Sequence, residues 1–370
     1  MADDSDTRTT GATIAIIVIA SLACAYTLYF ARSFLVPIAF AILLDFLFSP
    51  LVRGMQKLYI PASAGAAIIV IGLIAVAAFG SYTLSGPAQK MLRDAPTTIA
   101  RVRSKVDKVV RPLTEATSTA SKAAKEVAVM SDSTSPAEVT VVGPSVASQL
   151  AETVQRMLAA VFQVAFLLFF LLAGGDLFLE KTIRVIPVLQ DKKKAVRIAR
   201  DVESAVSVYL IANLGINFMA GVMVTAAMWF LEMPNPVLWG VLTVALEFIP
   251  FVGPLALMGL LTVSALGVYD SVGQILLVPG AYFVVNLIQG NIVTTLVLGR
   301  RLALNSVALF IGLAFWFWVW GVAGAFIGVP LMSIIKICCD HIEVLHPIGE
   351  FLGARDEPAR AAALPDASTA

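Results

Sequence analysis

Apolar residues occur along this chain in blocks long enough to cross a membrane, separated by short polar segments. A helix needs about 20 apolar residues to cover roughly 30 Å of hydrocarbon. Thr13 to Phe30 is the first such block, and Arg32 and Ser33 divide it from a second, Phe34 to Phe48, which contains Pro37 and Asp45. Arg53 and Lys57 follow, and a third block runs from Ala62 to Leu84. The pattern resumes from Val154 to Leu172 and from Tyr209 to Leu231. Two longer blocks, Val237 to Val268 and Leu302 to Ile337, flank the span Ile275 to Leu298. The periodicity predicts an all-α fold, a polytopic transmembrane helical bundle.

Between the third and fourth blocks the chain turns polar. Within it Leu92, Ile99, Val102, Val106, Val109 and Leu113 follow one another at helical spacings. That is a narrow apolar seam suited to a partner helix. Thr114 to Val142 reads as a flexible connection, loosest from Ser131 to Pro136. The expected organisation is N-terminal transmembrane helices (1–86), an extramembrane helical domain (87–150) and a transmembrane helix (151–180). A basic amphipathic helix (181–208), a transport core (209–337) and a cytoplasmic tail (338–370) follow.

The two long blocks are interrupted. Val237 to Val268 breaks at Pro250, Gly253 and Pro254. Each arm is then about 14 residues, or about 21 Å, too short to cross comfortably. A re-entrant hairpin with its tip at Phe248–Pro254 is expected. Leu302 to Ile337 breaks around Gly321, Gly324, Gly328 and Pro330. Its longer arms leave both a hairpin and two full spans open. A helix followed by a broken pair thus occurs twice in opposite orientation, the build of many secondary transporters. Broken backbone at membrane depth is tolerated only inside protein or beside a cavity. The alternative is that these Gly and Pro residues merely shape helix packing, since both are common in membrane helices.

Of 370 residues, 59% are hydrophobic and 14% charged, against about a quarter charged in a soluble domain. Most of the chain is therefore unsuited to water. A net charge of +1, from 26 basic and 25 acidic residues, gives no footprint for nucleic acid. Cys24, Cys338 and Cys339 make no disulfide framework. Asp3, Asp4 and Asp6 argue for a retained first helix, because a signal peptide wants a basic start.

Basic residues in short loops set orientation. Arg53 with Lys57, the run Lys181, Arg184, Lys192, Lys193, Lys194, Arg197 and Arg200, and Arg300 with Arg301 are all expected to be cytoplasmic. One threading satisfies all three, with both termini inside and 87–149 outside. That outer domain also holds nine Lys or Arg between Lys90 and Lys125, but longer loops translocate largely regardless of charge.

Several motifs in order resemble one family. These are Leu238-Trp239-Gly240, Phe248-Ile249-Pro250-Phe251-Val252-Gly253-Pro254 and Gln289-Gly290-Asn291. They continue with Leu298-Gly299-Arg300-Arg301-Leu302, Trp320-Gly321-Val322-Ala323-Gly324 and Val329-Pro330-Leu331, and near the front Ser49-Pro50-Leu51-Val52-Arg53. Together they resemble the AI-2E family, the autoinducer-2 exporters among bacterial permeases, over about residues 30–90 and 155–350. The resemblance implies a bacterial inner-membrane homo-oligomer, such as a pentamer, that moves a small polar molecule. The chain departs from the family at Gln289, where Glu is common, and at Thr295 and Ser306, where Pro is common.

A carboxylate at helix centre costs about 2.5–3.5 kcal/mol on insertion scales. Glu247 precedes Pro250 by three residues, so it is expected to lie deep and to bind a proton or cation; a structural hydrogen bond is the alternative. Asn213 and Asn217 share a helix face, as do Asn286 and Gln289. Amides both donate and accept, which suits a hydroxylated solute; interhelical hydrogen bonding is the plainer role. Asn291 faces away from Gln289. Asp45 is expected to snorkel toward Arg53. Arg300 and Arg301 are read as topology anchors, with a gate contact to an anionic solute as the alternative.

Cys338, Asp340, His341 and His346 match no standard zinc spacing and read as juxtamembrane surface. There is no GxxxxGK[ST] and no HExxH. Ala173-Gly174-Gly175-Asp176 and Tyr269-Asp270 occur in the wrong order for an intramembrane aspartyl protease. No enzyme and no cofactor is expected. A permease exporting a small polar solute leads, with a sodium–proton or other cation–proton antiporter and a non-transporting membrane scaffold as the competing classes.

The threading makes a direct prediction. In a background lacking native cysteines, Ser118→Cys should label only from outside and Lys193→Cys only from the cytoplasm. Cytoplasmic labelling of Ser118→Cys would invert the topology.

Overall fold

The computed structural model describes residues 3–87, 146–175, 189–290 and 304–353, with isolated positions between those stretches. The seam at 92–113 and the flexible connection fall largely, and Ser118, Asn291, Arg300 and Arg301 wholly, outside the described residues.

Helix α1 spans Asp3–Phe30 and α2 spans Arg32–Gln56. After a turn in which Tyr59 takes a positive φ of 63°, α3 spans Ala62–Pro87. Helix α4 covers Val146–Gly174. Val52 of α2, Ala66 and Val70 of α3, and Leu168 and Leu172 of α4 form one core.

Helix α5, Leu189–Phe230, is 42 residues long, about 63 Å. That is twice a bilayer's hydrocarbon thickness. It runs unbroken through 208–209, because no Gly or Pro lies between Leu189 and Leu214. Its first turns are basic, and its remaining length carries apolar faces for two helical hairpins.

The first hairpin is α6, Pro236–Leu246, and α7, Val252–Val268. At 11 and 17 residues, the arms are about 16 and 26 Å long. The Tyr269 hydroxyl donates to the Leu231 carbonyl. The end of α7 therefore returns to the end of α5, where the hairpin began. Close approach to α5 depends on two glycines. A Cβ on Gly240 would lie 2.6 Å from the Gly221 carbonyl oxygen, and one on Gly221 would lie 2.8 Å from that of Gly240. Small residues are what let membrane helices pack backbone to backbone. Helix α8, Val272–Ile288, then runs back along α5. Val224, Met228, Trp239, Leu257, Leu261 and Tyr282 are buried together among these helices.

The second hairpin lies within α9, Ser306–His341. Gly321 has φ 63° and ψ −144°, and the helix breaks there. Only glycine adopts such backbone readily. A straight helix would hold Gly312 and Met332 about 30 Å apart. Instead a Cβ on Gly312 would meet the Met332 side chain, and one on Gly328 would meet Leu313. The arms 306–320 and 322–341 therefore fold against each other. The Asn305 N–H donates to the Leu352 carbonyl at 2.9 Å, which ties the start of α9 to α10, His346–Leu352, beyond its end.

His341 sits 3.1 Å from Asp201 near the start of α5, whereas Tyr269 meets Leu231 at its far end. The hairpins are thus fed from opposite ends of the bundle. The tip of the first packs on the arms of the second: Phe248 stacks on Phe326 at 4.8 Å between centroids, and Phe251 packs edge-on to Phe310 at 6.1 Å.

Arg32–Gln56, Ala62–Pro87 and Lys192–Phe230 are each long and apolar enough to cross a membrane, and Ser306–His341 is as apolar but doubles back at Gly321. Large apolar side chains cover the outside, including Phe30 at 78% exposure and Phe230 at 83%. In water such a surface would associate, whereas lipid tails are its natural solvent. The chain is a helical membrane protein.

Gly312→Cys combined with Met332→Cys, with native cysteines replaced, should form a disulfide within one chain under mild oxidation. A gel-shift assay after proteolysis between the arms reads it. No cross-link would mean α9 is extended.

Candidate functional site

Polar side chains converge where the first hairpin turns beside α5 and α8. Glu247 ends α6, its N–H bonded to the Thr243 carbonyl at 3.0 Å. Pro250 then blocks continuation, since it has no N–H to offer. Phe251 takes φ 64°, and α7 starts at Val252. Gly253 must be glycine, because a Cβ would lie 1.9 Å from the Leu246 carbonyl oxygen. Pro254 sits in the first turn of α7, where a missing N–H is tolerated. This tight turn holds Glu247 at 8% exposure.

The Glu247 carboxylate faces α8. Tyr282 Oη donates to Glu247 Oε1 at 3.2 Å, and Asn286 Nδ2 donates to Tyr282 Oη at 3.4 Å. Gln289 and Asn286 also face the carboxylate. Gln289 Nε2 donates to Asn217 Oδ1 of α5 at 3.4 Å. Three elements thus supply one polar cluster in an otherwise apolar interior. Glu247 Oε2 and Asn217 Nδ2 are buried with no hydrogen-bond partner among the described residues. Such orphaned groups are uncommon in folded proteins and call for an explanation.

Of the residues singled out in the sequence, Glu247, Asn217, Asn286 and Gln289 come together here. Asn213 lies one turn before Asn217 on α5, half-buried, and no side-chain hydrogen bond to it is found among the described residues. Gly321, Gly324 and Pro330 belong to the second hairpin. A Cβ on Gly324 would lie 1.9 Å from the Trp316 carbonyl oxygen, so this tip also depends on a bare backbone. Pro330 is buried in the second arm.

Tyr282 was not singled out in the sequence, although 282, 286 and 289 form a helical stripe at spacings of four and three. Nor does the sequence reveal a second feature, an open cavity of about 730 Å³ bordered by α2, α3, α4, α5 and α9. Asp45, Ser49, Arg53, Gln56, Glu180 and Glu203 supply its polar lining. Asp45 and Arg53 thus do face a common space. Arg53 Nη2 pairs with Glu203 Oε1, and Arg200 Nη1 lies 3.4 Å from Glu203 Oε2. Glu203 precedes Asn217 by 14 residues, about 21 Å along α5, so cavity and cluster are separate. Among the described residues, no three His, Cys, Asp or Glu side chains are placed to hold a metal.

The geometry can be set beside known proteins. The profile of the AI-2E family transporter matches residues 16–343. The AI-2 transport protein TqsA of Escherichia coli (strain K12) is 33% identical over 143 residues, covering 39% of this chain and 41% of that protein. YrrI of Bacillus subtilis (strain 168) is 24% identical over 178 residues, covering 48% of this chain and 50% of that protein. YhhT of Escherichia coli (strain K12) is 28% identical over 132 residues, covering 36% and 38%. In each case the match spans half of the relative's length or less. The family match itself runs across both hairpins, the polar cluster and the helices that carry them, so the chain belongs to the AI-2E family of transporters.

Proposed function

We propose that this protein is a secondary-type permease that exports a small polar solute of the autoinducer-2 kind. Glu247 acts as its proton or cation site, and Asn217, Asn286 and Gln289 as its solute contacts. The carrying observation is the buried Glu247 carboxylate at a hairpin tip, ringed by Tyr282 and by amides from α5 and α8. A carboxylate is kept in an apolar interior against its insertion cost when its charge is used or paired. The groups that meet it among the described residues are neutral, so none of them cancels its charge. Amides suit hydroxyl-rich solutes because each donates and accepts. The relative named as an AI-2 transport protein supports the solute class. In this reading the hairpin tips lie near mid-membrane, the protein works as a homo-oligomer in the bacterial inner membrane, and both termini are cytoplasmic.

The test is flux in proteoliposomes measured beside thermal stability. Glu247→Gln keeps size and hydrogen bonding while removing the charge. It should abolish gradient-driven transport and leave the melting temperature near wild type. Asn217→Ala and Gln289→Ala should weaken solute affinity by roughly threefold to tenfold, the worth of one hydrogen bond. Tyr282→Phe should shift the pH dependence of transport while costing about 0.6 kcal/mol of stability. Gradient-driven solute transport at the wild-type rate in Glu247→Gln would reduce that residue to a structural role. Sodium–proton exchange without solute flux would favour the antiporter.

A further inference from the structure

A cleft of about 410 Å³ lies between the start of α5 and the end of α9, lined by Lys193, Lys194, Arg197, Asp340 and His341. Neither the polar cluster nor the larger cavity involves these residues. Lys193 and Arg197 are four apart on α5, and Lys194 and Arg197 three apart, so one helix face presents all three cations. The opposing wall is held in place. His341 Nε2 lies 3.1 Å from Asp201 Oδ2, bridging α9 to α5. Asp340 is engaged by Lys336 one turn earlier on its own helix. Lys193, Lys194, Arg197 and Lys336 therefore outnumber the carboxylates Asp201 and Asp340, and the cleft is electropositive.

Its depth follows from the helices that form it. Beyond Arg197, Ile198, Val202 and Val206 of α5 pack in the same apolar core as Ile334 and Ile337 of α9. The cleft thus sits where the apolar core shared by the two helices ends. The chain that continues from His341 is also unsuited to water. Val344 is 87% exposed, Ile348 49% and Phe351 68%. A Cβ on Gly349 of α10 would lie 3.2 Å from the backbone nitrogen of Asp340 in the cleft wall, so this apolar segment adjoins the cleft, and the two together match a ligand with a phosphate and acyl chains. Basic pockets between membrane helices bind anionic lipid headgroups on these terms.

We propose that this cleft seats the phosphate of an anionic phospholipid, with Lys193, Lys194 and Arg197 as its ligands and Val344, Ile348 and Phe351 resting in the adjoining acyl region. The site does not depend on the transport reading. A free phosphate ion shares the headgroup chemistry but has no use for the exposed apolar residues.

The test is native mass spectrometry of the full chain titrated with phosphatidylglycerol, phosphatidylcholine or inorganic phosphate. Wild type should retain phosphatidylglycerol in preference to phosphatidylcholine, and millimolar phosphate should not displace it. The variant Lys193→Gln/Lys194→Gln/Arg197→Gln should bind phosphatidylglycerol more weakly by on the order of a hundredfold, the combined effect of three interfacial cations. A control, Lys57→Gln/Lys90→Gln/Arg93→Gln, removes the same charge from exposed positions elsewhere and should bind as wild type. Unchanged binding in the first variant overturns the proposal, as does equal loss in the control. Displacement by phosphate assigns the cleft to a free anion and overturns the lipid. If the triple variant fails to fold, Asp340→Asn decides. Removing that carboxylate should tighten phosphatidylglycerol binding, and no tightening overturns the site.

Discussion

A helix that stops inside hydrocarbon frees N–H and C=O groups that no solvent will satisfy. Two helix breaks lie among the described residues, at 247–251 and at Gly321. The first is satisfied by its own turn. Ile249 N–H donates to Leu246 O at 2.9 Å, Val252 N–H to Pro250 O at 2.7 Å, and Gly253 N–H to Ile249 O at 2.9 Å. Pro250 contributes no donor to satisfy. The turn also needs cover, and the other hairpin supplies it through Phe248 on Phe326 and Phe251 on Phe310. The second break lies beside α1 instead, where Trp320 Nε1 donates to the Leu28 carbonyl at 3.0 Å.

That arrangement explains α5. Two hairpins fed from opposite ends need one element that reaches both. The first half of α5 packs Val202, Val206, Tyr209 and Leu210 with Leu313, Trp316 and Val319 of the second hairpin. Its second half packs Val224 and Met228 with Trp239 and Leu257 of the first. The change of partner falls between Leu210 and Val224, and Asn217 lies within that interval. The polar cluster therefore sits where α5 passes from one hairpin to the other, at the level of the first hairpin's tip.

Much of this was legible in the sequence because membranes impose long-period, high-contrast signals. The apolar blocks located the helices but not all their ends, since α1, α2, α4 and α5 run on into polar sequence by 8 to 20 residues at one end; Pro250, Gly253 and Gly321 marked both breaks. Glu247 stood out because a carboxylate in such a block is expensive. Asn217, Asn286 and Gln289 stood out for the same reason. Tyr282 did not, because tyrosine is unremarkable in an apolar helix until a carboxylate is placed 3.2 Å away. Arm length alone left the second block open between a re-entrant hairpin and two full spans; Gly312 against Met332 shows that its arms fold back on each other, as they would in either. The large cavity was illegible for a different reason. Ser49, Gln56, Glu180 and Glu203 come from separate segments, and only folding brings them to one wall.

The character of the cluster bears on what a single carboxylate can do there. Arg53 with Glu203 shows the other solution this chain uses, a guanidinium set against a carboxylate. Such a pair is self-neutralising, and removing one partner leaves a costly charge. Around Glu247 the chain instead places a phenol and amides, neutral groups that hydrogen-bond a carboxylate without cancelling its charge. The same donors and acceptors can serve a protonated acid, since an amide oxygen or a phenol oxygen accepts as readily as its partner atom donates. A built-in Arg would hold the site in one charge state. Among the described residues the partners of Glu247 are neutral, and the coupling role proposed for it rests on this contrast with the Arg53–Glu203 pair.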